Sequence, residues 1–297
     1  MTDPVPHPTP EEAQRLVDQL AALMRLDTLG ADVFRAQSQD IGTPAVFGGQ
    51  VLGQALVAAC NTVEPDRPVH SMHAYFLLPG EHAPIDYEVH RARDGRSFTT
   101  RHVVARQEGR EIFEMTASFQ TVDEGIEHQL PMPAAPEPDA LRSELEIRQQ
   151  LREKLPERAR GKWLEPHGIE FRDIEPLDPI HPEKRPPQTA LWMRAVAMLP
   201  DDPTVHRALL AYASDHGLLR AAMLPHGLSF IRGNVRAASL DHAMWFHRDF
   251  RMDEWLLYVI DSPSASGARG LCRGSVFRRD GTLVASTAQE GMLRVRG

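Results

Sequence analysis

The segment Ser71-Met-His-Ala-Tyr-Phe76 returns in altered form as Ser239-Leu-Asp-His-Ala-Met-Trp-Phe246. A second pair follows, in which Ile112-Phe-Glu-Met-Thr-Ala-Ser118 matches Leu283-Val-Ala-Ser-Thr-Ala-Gln289. The offsets agree, at 169 residues for His73 and His242, 170 for Phe76 and Phe246, and 171 for Ser118 and Gln289. Solenoid repeats are much shorter, at roughly 20–50 residues. The chain is therefore interpreted as two fused copies of one domain.

Each copy has an apolar helix followed by antiparallel hairpins. Phe47–Cys60 opens with two glycines and is apolar on nearly every side, which is typical of a buried helix. Thr204–Met223 is the corresponding helical segment of the second copy. The turns Glu108-Gly109 and Asp280-Gly281 are hairpin signals. The predicted strands are 84–91, 97–107 and 110–121 in the first copy, and 190–198, 255–261, 268–279 and 282–289 in the second.

This order of elements predicts an α+β fold, in which each copy curls a sheet around one central helix. The edge strands left over pair best with each other, so we expect one continuous sheet across both copies.

The predicted domain organisation has four parts. Residues 1–10 are rich in proline and are predicted to be disordered, and residues 11–122 form the first unit, beginning with a peripheral helix. Residues 123–187 are a proline-rich and charged linker, in which 143–155 suits an exposed helix. Residues 188–297 form the second unit. A linker this long exceeds ordinary connections, so we expect it to pack over the surface.

The bulk composition narrows the class of protein. A chain of 297 residues with 42% apolar residues and a net charge of −8 fits a globular protein that does not bind nucleic acid generally. Cys60 and Cys272 stand alone, which favours free thiols in a reducing compartment. No signal peptide and no apolar run near the ~20 residues of a membrane span are evident. We expect a cytoplasmic protein without a membrane partner.

Asp215 is the first candidate for chemistry. On a helix it would lie among Ala211, Tyr212, Leu218 and Leu219, and a carboxylate on an apolar face is costly without partners. Such carboxylates also supply sites with a general base. A structural role remains open: Asp215 could cap a helix that begins near His216, or it could bond the sheet.

Gln289 and Ser239 are the second and third candidates. A glutamine on a buried strand needs its amide fully bonded, and Ser118 stands at the matching place in the first copy. Each residue alone is more often a solvated or turn residue. Their presence in one copy with Asp215 favours function, because no acid occurs near 47–50, where we expect the match to Asp215.

Other motifs give weaker signals. His70 and His73 have metal-pair spacing, but no third ligand is close in sequence. Neither a Gly-x-Ser-x-Gly elbow nor a phosphate-binding glycine loop is present. Gly48-Gly49 suits either backbone N–H groups that face an oxyanion or a phosphate, or close packing of the helix on the sheet, and the sequence leaves both open.

The chain resembles the acyl-CoA thioesterase II family, whose fold is the double hot-dog. The resemblance rests on five segments: 47–55, 73–80, 212–215, 239–247 and 285–291. It implies that Asp215, Ser239 and Gln289 are catalytic and activate a water that attacks an acyl-CoA thioester. It also implies that no metal or other cofactor is needed and that the chain forms a homo-oligomer.

Two alternatives to hydrolysis stay open. One is an acyl-CoA hydratase or dehydratase on the same fold, which would use an Asp–His pair such as Asp215-His216 or Asp241-His242. The other is a protein that binds acyl-CoA without catalysis. The full set of Asp, Ser and Gln argues against the second, since a binding protein has no need of groups that activate water.

Overall fold

One continuous antiparallel sheet dominates the computed structural model, which describes residues 8–155, 157 and 160–296. The sheet's strands are β1 Asp27–Gly30, β2 Val33–Ala36, β3 Val69–Phe76, β4 Ile85–Asp94, β5 Phe98–Gln107, β6 Arg110–Gln120, β7 Ile169–Asp173, β8 Gln188–Ala195, β9 Val235–Ser239, β10 Asp241–Phe246, β11 Leu256–Ser266, β12 Arg269–Arg278 and β13 Leu283–Val295. The helices are α1 Pro10–Leu23, α2 Gly48–Cys60, α3 Glu144–Gln150, α4 Pro203–Ser214 and α5 Arg220–Met223. Of the segment predicted to be disordered, residues 1–7 lie outside the described residues, whereas Thr9 caps α1 and Pro10 is its first residue.

The two copies meet at the centre of the sheet. The strand order is β1-β2-β4-β5-β6-β3-β10-β13-β12-β11-β8-β7, and β9 pairs with β13. Met72 of β3 stands opposite Met244 of β10, so the central strands of the two copies form one ladder. The predicted α+β class and the predicted continuous sheet are both confirmed.

The long central helices α2 and α4 pack directly against each other. A Cβ on Gly49 would lie 2.2 Å from the carbonyl oxygen of Tyr212, and one on Gly53 would lie 2.8 Å from that of Ala208. The helices therefore run antiparallel, and only glycine permits so close a crossing. Each helix thus brings its first residue beside the end of the other.

The predicted hairpins are confirmed, but the second helical segment is not continuous. β5 and β6 flank Glu108-Gly109, and β12 and β13 flank Asp280-Gly281. The segment predicted as a helix over 204–223 ends at Ser214 and restarts as α5. Gly217 has φ +73°, a left-handed conformation that glycine adopts without strain, and it lies in the break.

The linker takes part in the sheet, which the sequence did not predict. Its strand β7 pairs with β8 and forms one edge of the sheet. The predicted exposed helix over 143–155 is shorter, and α3 is not fully exposed because Arg148 is buried. Glu144 of α3 accepts from His216 Nε2 at 2.9 Å, and Asp173 of β7 accepts two hydrogen bonds from Arg220 at 2.8 and 3.0 Å. These contacts fix the linker against the break after α4.

The register of the central strands corrects two matches made from the sequence. His242 is fully buried on the inner face of β10, whereas His73 is exposed on the outer face of β3. Because side chains alternate between faces, the inner residue that matches His242 is Met72, at an offset of 170. Met72 pairs with Ala117, so Gln289 matches Ala117 rather than Ser118.

Candidate active site

Asp215 ends helix α4. It is the C-cap residue, in a helical backbone conformation, and its side chain is half-buried. Of the two structural roles considered from the sequence, the cap for a helix starting near His216 is wrong because α5 begins only at Arg220, whereas the bond to the sheet is confirmed by Ser239 and Gln289. The carboxylate therefore stands at the negative end of α4 and faces the positive end of α2.

Ser239 and Gln289 reach the same carboxylate from the sheet. Ser239 is the last residue of β9, and Gln289 lies on β13, 1% exposed. The Ser239 hydroxyl donates to Asp215 Oδ1 at 3.2 Å. The Gln289 amide Nε2 donates to the same oxygen at 3.1 Å and to Ser239 Oγ at 2.9 Å. All three candidates predicted from the sequence are thus in mutual contact.

The first copy provides the wall opposite Asp215. A Cβ on Gly48 would lie 2.8 Å from Asp215 Oδ2 and 2.9 Å from the ring of Phe76, so this position needs glycine. The N–H groups of Gly48 and Gly49 open α2 and form no hydrogen bond within the described residues. Gly48 packs closely against Phe76 of the sheet, as one of the two predictions has it, and Gly49 packs against α4, which the sequence did not predict; the unpaired N–H groups also keep the oxyanion role open to a proposal.

The match to Asp215 predicted at residues 47–50 of the first copy is wrong. They belong to the same site, at the opposite helix end. Helix ends correspond between α2 and α4, so the match to Asp215 is Asn61, the C-cap of α2.

A cavity of about 760 Å³ opens in front of these groups. Its walls come from both copies and are mainly apolar, with Phe47, Val51, Phe76, Phe113, Leu219 and Met292 among them. Asp215, Ser239 and Gln289 lie in this wall, and Arg220 and Arg236 are its basic members. The arrangement suits a ligand with an apolar tail and an anionic head.

His242 also belongs to the site, in a role that the sequence did not predict. Its Nδ1 lies 2.5 Å from Gln289 Oε1, and its Nε2 lies 3.0 Å from the Ser214 hydroxyl. Burial lowers the pKa of His242 below the usual value for histidine. The alternation along β10 was the available signal, because His242 shares its face with Met244 and Phe246.

The other histidines considered from the sequence lie elsewhere. His70 bonds the Ser118 hydroxyl at 2.8 Å, and the exposed His73 packs edge-on against Trp245 at 5.1 Å. His216 stacks on Phe171 and bonds Glu144. Over residues 8–155, 157 and 160–296 no three His, Cys, Asp or Glu side chains are grouped in a way that could hold a metal ion.

The opposite end of the helix pair lacks every one of these groups. There α4 begins with Pro203, which has no N–H, and the Asp202 side chain already accepts from Thr204 N at 2.8 Å. Asn61 replaces the acid. Val69 and Ala117 occupy the places of Ser239 and Gln289. Only one end of the helix pair is equipped for chemistry.

Comparison with known proteins places this chain in a family. Residues 35–120 match the family described as acyl-CoA thioesterase N-terminal domain, and residues 176–292 match the one described as acyl-CoA thioesterase. The chain is 38% identical to acyl-CoA thioesterase 2 of Haemophilus influenzae over 280 residues, which cover 94% of this chain and 98% of that protein. The chain belongs to the acyl-CoA thioesterase family.

Two further relatives agree with this assignment. The human protein named acyl-coenzyme A thioesterase 8 is 37% identical, over 93% of this chain and 89% of that protein. The crystal structure of an acyl-CoA thioesterase II from Mycobacterium marinum superposes with a TM-score of 0.77 at 42% identity, covering 94% of this chain and 99% of that one. The predicted family and the predicted double hot-dog fold are confirmed.

Proposed function

We propose that this acyl-CoA thioesterase hydrolyses its substrate to free CoA and a carboxylic acid through a water activated by Asp215. The observation that carries the proposal is the shared contact at Asp215 Oδ1, which receives both the Ser239 hydroxyl and the Gln289 amide. These donors fix the carboxylate, while no described residue donates a hydrogen bond to Oδ2. Oδ2 faces the start of α2 and is the oxygen that would accept the proton of the water.

The reaction proceeds in two steps. The water oxygen attacks the thioester carbonyl carbon, and its proton passes to Asp215. The tetrahedral intermediate then collapses, the carbon–sulfur bond breaks, and the CoA thiolate takes the proton back from Asp215. Ser239 and Gln289 orient the water through the carboxylate that they hold, because fixing Oδ1 also fixes Oδ2, and this converts an encounter with solvent into attack by a held nucleophile.

The negative charge that develops on the carbonyl oxygen needs hydrogen-bond donors. The N–H groups of Gly48 and Gly49 are unpaired within the described residues and lie at the positive end of α2. We assign the oxyanion to them. Each of the two copies would then contribute one half of the catalytic machinery.

The acyl tail would occupy the apolar part of the 760 Å³ cavity, between α2 and the sheet. The phosphates of CoA would meet basic side chains at its rim. Arg236 is exposed there and forms no ion pair with any described residue, so it is available to an anionic ligand. Arg220 is already held by Asp173.

The cavity favours hydrolysis over the hydratase alternative. No histidine is among the described residues that line it. Both ring nitrogens of His242 are engaged behind Gln289, and His216 points to the linker, so neither Asp–His pair faces the cavity. Addition of water to an acyl double bond would lack the acid–base pair expected for it.

The test is release of free thiol from a series of acyl-CoAs of increasing tail length. Asp215→Asn keeps the shape and the acceptor for both donors but removes the base, so kcat should fall by roughly 10²- to 10⁴-fold with little change in substrate binding. Gln289→Ala should also lower kcat. The matched control is Asp249→Asn, which alters a carboxylate that is 89% exposed. Full activity in Asp215→Asn, or no thiol release at any tail length, would contradict the proposal.

Location, assembly and domain limits are further parts of the proposal. Cys272 is buried as a free thiol, and Cys60 is free as well, which favours the reducing cytoplasm. None of the helices within the described residues has the length and apolarity of a membrane span. The resemblance to the family implies a homo-oligomer, which sedimentation would detect. We retain 11–122 and 188–297 as the two units, with β7 as a linker strand added to the second.

A further inference from the structure

The side-chain amide of Gln289 has two orientations of nearly equal shape, and only one of them serves the site. A carboxylate only accepts hydrogen bonds, so the Gln289 atom that lies 3.1 Å from Asp215 Oδ1 must be the nitrogen. The opposite orientation would set an oxygen against the carboxylate and remove the donor to Ser239. Something must hold the amide in the productive orientation.

His242 stands on the other side of this amide. Because Gln289 turns its nitrogen toward Asp215, its oxygen Oε1 faces His242 Nδ1 at 2.5 Å, and Nδ1 must carry a proton. A reversed amide would place two N–H groups against each other. Both side chains are buried, at 0% and 1% exposure, so water cannot compensate for such a mismatch.

Ser214 completes the support of the imidazole. Its hydroxyl lies 3.0 Å from His242 Nε2 and 2.9 Å from the carbonyl oxygen of Ala211. With the neutral ring that burial favours, Nδ1 keeps its proton for Gln289 and Nε2 is an acceptor, so the single Ser214 proton is shared between Nε2 and the carbonyl oxygen of Ala211. Ser214 directly precedes Asp215, so the chain of contacts runs from the end of α4 through β10 and β13 and back to the acid.

We propose that His242 is a positioning residue, which fixes the orientation of the Gln289 amide and thereby supplies Asp215 and Ser239 with their common donor. The inference rests on the proposed hydrolytic function of this site. His242 does not touch the substrate cavity, so it acts only through Gln289. The first copy has Met72 and Ala117 at the corresponding places, so the pair of a histidine and a glutamine occurs only in the second copy.

The decisive comparison is His242→Leu against His242→Asn. The two replacement side chains have the same branching at Cγ, but only asparagine offers a nitrogen where Nδ1 was. We expect His242→Leu to lower kcat roughly 10- to 100-fold with KM within threefold of wild type, because a misplaced amide affects the reacting geometry more than binding. His242→Asn should keep at least tenfold more of kcat than His242→Leu, although it buries a more polar group.

A double-mutant cycle with Gln289→Ala separates positioning from general support of the fold. If His242 acts through Gln289, His242→Leu lowers kcat no further once Gln289 is alanine. Independent losses in the two backgrounds, equal losses in the Leu and Asn variants, or an unchanged kcat in His242→Leu would each overturn the inference. The proposed function fails separately, if Asp215→Asn or Gln289→Ala leaves thiol release intact.

Discussion

Gly48 offers the sharpest prediction, because its replacement tests the contribution of the first copy to a site whose acid lies in the second. A Cβ at this position would lie 2.8 Å from Asp215 Oδ2, whereas ordinary contacts begin at 3.4 Å. The carboxylate or the start of α2 must therefore move by about 0.6 Å. The ring of Phe76, at 2.9 Å from the same Cβ, limits movement in the other direction.

The expected effect of Gly48→Ala falls on catalysis rather than on stability. Misplacement by about 1 Å costs on the order of 10²-fold in rate, so a shift of this size should lower kcat by roughly 30- to 100-fold, or about 2–2.7 kcal/mol in activation free energy. Alanine favours helix more than glycine does, so the melting temperature should change by no more than about 3 °C.

The assay is steady-state thiol release at saturating acyl-CoA, with thermal unfolding followed in parallel. Gly30→Ala is the matched control, since a Cβ at Gly30 meets no atom within 4 Å and its φ is not positive. A Gly48→Ala enzyme with kcat within threefold of wild type would refute the reasoning, because the close approach would then have no catalytic consequence. A loss of kcat that Gly30→Ala shares would refute it as well.

Two further predictions concern stability. Asp173→Asn removes the buried carboxylate that pairs with the half-buried Arg220 and should lower the free energy of unfolding by about 3 kcal/mol. Asp261→Asn, which alters an exposed pair with Arg273, should change it by less than about 1 kcal/mol in the same denaturant titration. Burial and nearby Arg148 lower the pKa of His167 from 6.5 to about 4. The unfolded chain therefore binds this proton first, and stability falls as pH drops from 6.5 to 4, by up to about 3 kcal/mol from this residue. His167→Gln should flatten that decline relative to the exposed control His181→Gln, and an unchanged slope would contradict the assignment.

The sequence predicted those parts of the molecule whose signal is local. Turns such as Glu108-Gly109 and Asp280-Gly281 specify their hairpins directly, and the small apolar residues of 47–60 mark a buried helix. The linker strand β7 has no such signal. It is short, precedes a proline-rich stretch, and is a strand only because β8 lies beside it.

The site was predicted in its residues but not in its geometry. The repeat and the family resemblance identified Asp215, Ser239 and Gln289, and the structure brings them together. Aligning the two copies by residue identity paired His242 with His73 instead of Met72. A shift of one residue on a strand exchanges the buried face for the exposed one, so this alignment hid the buried position of His242. The role of Gly48 depends on the antiparallel packing of α2 and α4, a long-range contact with no trace in local sequence.

The unequal ends of the helix pair show what fusion of the two copies permits. In a dimer of identical chains the two packed helices would have the same sequence. The first residue could then not be glycine in one helix and proline in the other. Here Gly48 and Pro203 are encoded separately, as are Asn61 and Asp215. Helix α2 can therefore supply backbone N–H groups at its first residues, while α4 supplies the carboxylate at its last. A tight-binding analogue of the tetrahedral intermediate should accordingly titrate the protein at one equivalent per 33.3 kDa chain, not at two.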